Sequence, residues 1–234
     1  MMRTFREFIE AVTPNGKELP LVHATQCKHL NSIATSHLLA PKRCPVFKES
    51  LLYFFYGRPA YRDTDHHTPA RAIPFYPLCF IFRPETVSKS AKRVFPFDSG
   101  AAVKSYYEPA VAASDALLRY AVAPTITSAR QIIGAFFETP EDYVRANPKP
   151  RLTTTKTDKD ARQYHKLING GGHPDCDDRY SATEFSSEKP AKLRGDLMAV
   201  VLPLTFFRDE AKRPEPAQAP QLAARTKIER DRVR

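Results

Sequence analysis

Twenty-one prolines and only eight glycines are spread through 234 residues, and that ratio constrains the fold more than any other feature. Each proline removes a backbone donor and holds the residue before it out of the helical region, so none sits easily inside a helix or a central strand. The chain is therefore expected to fold into short elements with few long helices. At this length it makes one large domain or two small ones, and it can bury a core without disulfide or metal staples. The balance of 42% hydrophobic and 26% charged residues excludes collagen, coiled coil and a wholly disordered chain.

Phe5, Phe8, Ile9 and Val12 recur at helical spacing and predict a first helix over residues 3–11, closed by Pro14-Asn15-Gly16. Residues 19–25 read as a short strand, and Leu30, Ile33, Ala34, His37 and Leu38 again follow helical spacing. Unbroken apolar and aromatic runs at 51–56 and 78–82 predict buried strands, stopped by Gly57-Arg58-Pro59 and by Pro84. A turn is expected at Asp98-Ser99-Gly100, then two helices over 109–121 and 128–137 covering one face of the sheet.

From residue 139 to 179 apolar residues thin out among Lys149, Arg151, Lys156, Lys159, Arg162 and Lys166, and the stretch reads as a long basic loop with Gly170-Gly171-Gly172 as a hinge near its end. Residues 180–185 alternate like a strand, and 196–203 supply a last buried one. A folded domain over 1–207 and a basic, disordered tail over 208–234 are expected.

A formal charge of +10 favours an anionic partner without bearing on fold. The cysteines, Cys27, Cys44, Cys79 and Cys176, lack C-x-x-C spacing, which points to reduced thiols and a cytoplasmic setting. No apolar run approaches the ~20 residues of a membrane helix, and the first residues lack the apolar stretch of a secretory signal. No membrane partner is expected. Cys27, His29, Cys44, His173 and Cys176 lack structural-zinc spacing, so no metal site is assigned. Asp65-His66-His67 reads as a polar loop, because the further acids that a metal phosphoesterase needs are missing.

Three features carry candidate chemistry. His23 ends a short apolar strand, where an imidazole can meet a ligand. In residues 52–62, Tyr53 and Phe55 face one way and Phe54 and Tyr56 the other. The turn beyond adds Arg58, Tyr61 and Arg62, so rings for stacking lie beside guanidinium groups for phosphate. In residues 179–185, alternation sets Glu184 with Tyr180 and Ala182 on a partly apolar face, where a carboxylate needs a partner or a ligand.

Together the three resemble the H-Y-E arrangement of the ADP-ribosyltransferases, over residues 19–62 and 176–203. His23-x-Thr25 with Leu30-x-x-Ile33 also resembles the opening of bacterial toxin members, including those that modify nucleic acid. The resemblance implies an α+β fold, a split and mostly antiparallel sheet around a central NAD cleft. It implies NAD as substrate, with ADP-ribose passed to a nucleic-acid or protein acceptor in a toxin or phage-defence setting, and an antitoxin as a further partner. Glu184 would be catalytic. His23, Thr25, Tyr53, Tyr56, Arg58, Tyr61 and Arg62 would bind the dinucleotide: His23 on the ribose, a tyrosine on the nicotinamide, an arginine on the pyrophosphate. Ala182 stands where transferases that modify arginine carry a second acid, so the resemblance does not extend to an arginine acceptor. The alternative is a non-catalytic nucleic-acid-binding protein that uses the basic loop and the aromatic strand.

Overall fold

A computed structural model describes residues 2–60, 72–103, 117–170 and 178–204. The first helix, α1 (Phe5–Glu10), starts at a capping box in which Thr4 accepts from the Glu7 amide and the Glu7 carboxylate accepts from the Thr4 amide. β1 (Leu21–Gln26) leads through a 3-10 turn at Cys27–His29 into α2 (Leu30–Ser36), which His37 ends in the left-handed region at φ 54°. Two short strands follow, β2 (Leu38–Leu39) and β3 (Lys42–Arg43), and then β4 (Ser50–Tyr56) and β5 (Pro77–Phe82).

Next come α3 (Pro84–Ser88), β6 (Ala91–Phe95) and α4 (Ser99–Val103). The strand β6 and the helix α3 were not anticipated. Pro84 does close β5, but it also sits in the first turn of α3, where its missing amide costs nothing. α5 (Ile126–Phe136) answers the expected helix over 128–137. Most of the helix expected over 109–121 lies outside the described residues, and the described part holds a 3-10 turn at Leu118–Tyr120.

Residues 139–179 are not one long loop. They contain α6 (Pro140–Val144) and the twelve-residue α7 (Lys159–Gly170). α7 buries Ala161, Tyr164, Leu167 and Ile168 on one stripe while Lys159, Arg162 and Lys166 face outward. The basic residues that suggested a loop are the solvated face of an amphipathic helix. Beyond a 3-10 turn at Asp178–Ser181, β7 (Glu184–Ser187) starts later than the strand expected at 180–185. β8 (Ala191–Lys192) and β9 (Leu197–Val201) complete the described chain, and the expected tail lies outside it.

The fold is mixed α and β around a main sheet in the order β6-β7-β4-β1-β5-β9, with each of these neighbouring pairs antiparallel and β3 paired to the start of β4. β2 and β8 pair separately. One face of the sheet, carrying Leu21, Leu52, Phe54, Tyr56, Phe80, Phe82 and Phe185, belongs to the same apolar core as the inner sides of α1, α5 and α7. On the other face Phe55 packs with Ala60 and Ala182 in a small second cluster.

The middle of the sheet opens. β1 pairs with β5 over six positions, from Leu21↔Phe82 to Gln26↔Pro77, but with β4 only at Leu21↔Tyr56 and Val22↔Phe55. From His23 onward β1 follows β5, while β4 continues along β7.

Candidate active site

Cross-strand partners share a face, so the pairing register decides which side chains can meet. Glu184 opens β7 between Phe55 of β4 and Phe95 of β6, and Tyr53 pairs with Ser186 two residues along. Tyr53, Phe55 and Glu184 therefore share the face opposite the main core.

Glu184 is 2% exposed. Its Oε2 accepts the Ser99 amide at 3.1 Å and its Oε1 lies 2.7 Å from the Ser99 hydroxyl. Burial, and next the negative charge of Asp98, push its carboxyl well above the ordinary range, against the lowering effect of Ser99. Asp98 is itself engaged, accepting the Ala101 amide at 3.0 Å and facing Arg179 at 4.0 Å. Among the described residues no basic side chain pairs with Glu184.

Tyr53 is half-buried, and its hydroxyl donates to the Cys44 sulfur at 2.8 Å. Burial, then the charge of Glu184, drives the phenol far above its ordinary value, so it stays a neutral donor. Cys44 belongs to the loop between β3 and β4, which folds over this face. Phe47 of that loop stacks on Phe95 at 5.9 Å, and Glu49 makes a two-pronged ion pair with Arg93 at 2.8 and 3.0 Å.

His23 approaches from elsewhere. Val22 pairs with Phe55 and so shares the face of Glu184, and alternation turns His23 to the side of Leu21. This corrects the expectation, implied by the resemblance, that His23 and Glu184 gather on one NAD cleft: the two side chains leave opposite faces of the sheet. The ring instead reaches from β1 to β4, where Nδ1 lies 2.8 Å from the Tyr53 carbonyl. A carbonyl can only accept, so Nδ1 carries the proton and Nε2 keeps its lone pair. Burial, and further the nearby Lys42, hold the imidazole below its ordinary 6.5, and it is neutral at pH 7. The histidine thus grips the backbone of the strand that presents Tyr53.

No family model, characterised protein or solved structure matches the chain.

Of the other expected site residues, Thr25 lies two positions beyond His23 on the same face of β1, half-buried and paired with Leu78. Tyr56 is a core residue at 0% exposure, its hydroxyl accepting the Leu19 amide at 2.9 Å and its phenol raised to about 12 by burial. It cannot be the stacking platform, which leaves Tyr53 among the described tyrosines of that stretch. Arg58, expected to bind the dinucleotide, is also buried, donating to the Ser181 hydroxyl with its guanidinium 5.2 Å from the Tyr143 ring. Tyr61 and Arg62 lie outside the described residues, as do Asp65, His66, His67, His173 and Cys176.

Ser99, Asp98 and Cys44 escaped the sequence reading as site residues. Ser99 meets Glu184 across 85 positions, a separation that no local pattern reports. Asp98-Ser99-Gly100 did signal a turn, and the turn that starts α4 is what aims the Ser99 amide at Glu184. Two cavities, of about 260 and about 30 Å³, are lined by Glu18, Glu85, Lys89 and Thr125 and by Phe54, Ser90, Ser187 and Asp196, and neither includes Glu184, Tyr53 or His23.

Proposed function

We propose that the chain transfers ADP-ribose from NAD to a macromolecular acceptor, with nucleic acid favoured by the charge of +10. The observation that carries this reading is a buried carboxyl, Glu184, which has a serine to orient it, a tyrosine on its own face and no cation to neutralise it among the described residues. Burying an acid in this way is costly, and a perturbed carboxyl beside an aromatic ring is a reasonable mark of a reaction centre. The opening between β1 and β4, with His23 at its edge, is the other support for the reading.

In the proposed reaction the bond between the ribose anomeric carbon and the nicotinamide nitrogen breaks, and its electron pair leaves with nicotinamide. Positive charge grows on the sugar. Glu184, ionised in the occupied site, stabilises that charge through fixed electrostatics, and Ser99 keeps its oxygens in place. The Tyr53 ring supports the nicotinamide, and His23 holds β4 in place through its bond to the Tyr53 carbonyl. A nucleophile of the acceptor then bonds to the anomeric carbon and gives up its proton. A toxin or phage-defence setting, with an antitoxin as partner, is part of the same proposal and rests on the resemblance in residues 19–62 and 176–203.

The test is incubation of purified protein with NAD labelled in the adenylate half and a panel of DNA, RNA and protein acceptors. Label should move to one acceptor class from the native chain and not from Glu184→Gln. Nucleic acid that is bound but never labelled would favour the non-catalytic reading instead.

A further inference from the structure

We infer that the loop over residues 44–49 is a lid on the Glu184 site, latched to β6 through Glu49, and that it opens to admit the ligand. This rests on the proposed function for the ligand's identity, but the lid itself is argued from contacts alone. The loop is closed on itself: the Cys44 amide donates to the Glu49 carbonyl at 2.7 Å, the Lys48 amide donates to the Cys44 carbonyl at 3.0 Å, and Lys48 takes a left-handed φ of 58° to complete the turn. A loop braced internally in this way can swing as a unit on β3 and the start of β4.

Its side chains cover the face that carries the candidate residues. Cys44 takes the Tyr53 hydroxyl, and Phe47 stacks on Phe95, the cross-strand partner of Glu184. With the lid down, Glu184 is 2% exposed and Tyr53 spends its hydroxyl on a thiol.

The fastening is electrostatic and lies near the surface. Glu49 faces Arg93 by two bonds and Lys92 at 2.9 Å, and the Arg93 guanidinium also stands 4.5 Å over the Phe47 ring. The two cations hold the Glu49 carboxyl down at about 2, so the latch stays charged at any physiological pH. Exposed ion pairs are weak and screened by salt, which suits a catch that must release.

Cys44 gives a direct readout. It is buried on the inner side of the lid, against Tyr53, and Cys27 is buried elsewhere in the core as a reporter of global opening. Alkylation of the full chain, read at each cysteine by peptide mass spectrometry, should run about tenfold faster at Cys44 in Glu49→Gln and in Arg93→Gln than in the native protein. The Cys27 rate should not change, and raised salt should speed Cys44 in the native chain but less in the variants. Unchanged Cys44 labelling, or Cys44 and Cys27 accelerating in step, overturns the lid. NAD added to Glu184→Gln should slow Cys44 labelling. If both latch variants speed Cys44 alone while NAD neither protects it nor is turned over by the native chain, the lid stands and the transferase reading falls.

Discussion

Keeping a carboxyl in a place as dry as the Glu184 site disfavours its ionised form, and the neighbouring Asp98 disfavours it further. The folded chain therefore holds a proton on Glu184 at pH values where the unfolded chain, near the ordinary 4.5, has lost it. Stability falls as pH rises through that window, because the folded state binds the extra proton. Gln in this place needs no proton, can accept the Ser99 amide and can donate to the Ser99 hydroxyl. Glu184→Gln is predicted to raise Tm at pH 7, with the gain shrinking toward zero near pH 4 in a thermal-melt series. A loss of Tm at pH 7 would mean that Glu184 is ionised and structurally required. For His23 the tautomer decides: His23→Asn can still donate to the Tyr53 carbonyl, whereas His23→Ala leaves that carbonyl unpaired. His23→Ala should cost about 1–3 kcal/mol in urea unfolding and His23→Asn distinctly less. Equal losses would remove the hydrogen bond from the account.

Elements built from long apolar runs were legible in the sequence. The runs at 51–56 and 78–82 became β4 and β5, and α1 and α5 followed their helical spacing. Elements whose pattern is carried by a minority of residues were not. In α7 four buried side chains of twelve hold the stripe, and polar or charged residues make up most of the remainder. The stretch before Glu184 alternates on paper, yet a 3-10 turn at Asp178–Ser181 breaks the period. If α7 packs as described, Ile168→Ala should cost about 2–4 kcal/mol, and Lys159→Ala on its outer face less than about 0.5 kcal/mol. A solvated basic loop would make both neutral. At the other end of the chain, removing the α1 cap by Thr4→Ala should lower the unfolding free energy by about 1 kcal/mol, seen as a lower urea midpoint with an unchanged slope.

Across the molecule, short elements were expected from the prolines and a mostly antiparallel sheet from the resemblance, and the mixed α and β fold with its sheet in the order β6-β7-β4-β1-β5-β9 agrees with both. The part of the site that could be read in advance was an acid on a face where it needs a partner, and an aromatic strand beside it. What could not be read was long range: the partner of Glu184 is Ser99, the loop over 44–49 meets the Tyr53 hydroxyl through Cys44, and His23 lies on the opposite face of the sheet with its ring on the Tyr53 carbonyl. Pairing registers between distant strands settle such relations, and a one-residue change of register reverses a side chain's face. Among the described residues no helix is long and apolar enough to cross a membrane. The measurement closest to the central claim is nicotinamide release from NAD by the native chain and by Glu184→Gln, compared at equal folded fraction with the lid opened by Glu49→Gln in both. The account predicts release by the native acid and a fall of about a thousandfold with the amide. Equal release from the two proteins, or none from either, would contradict it.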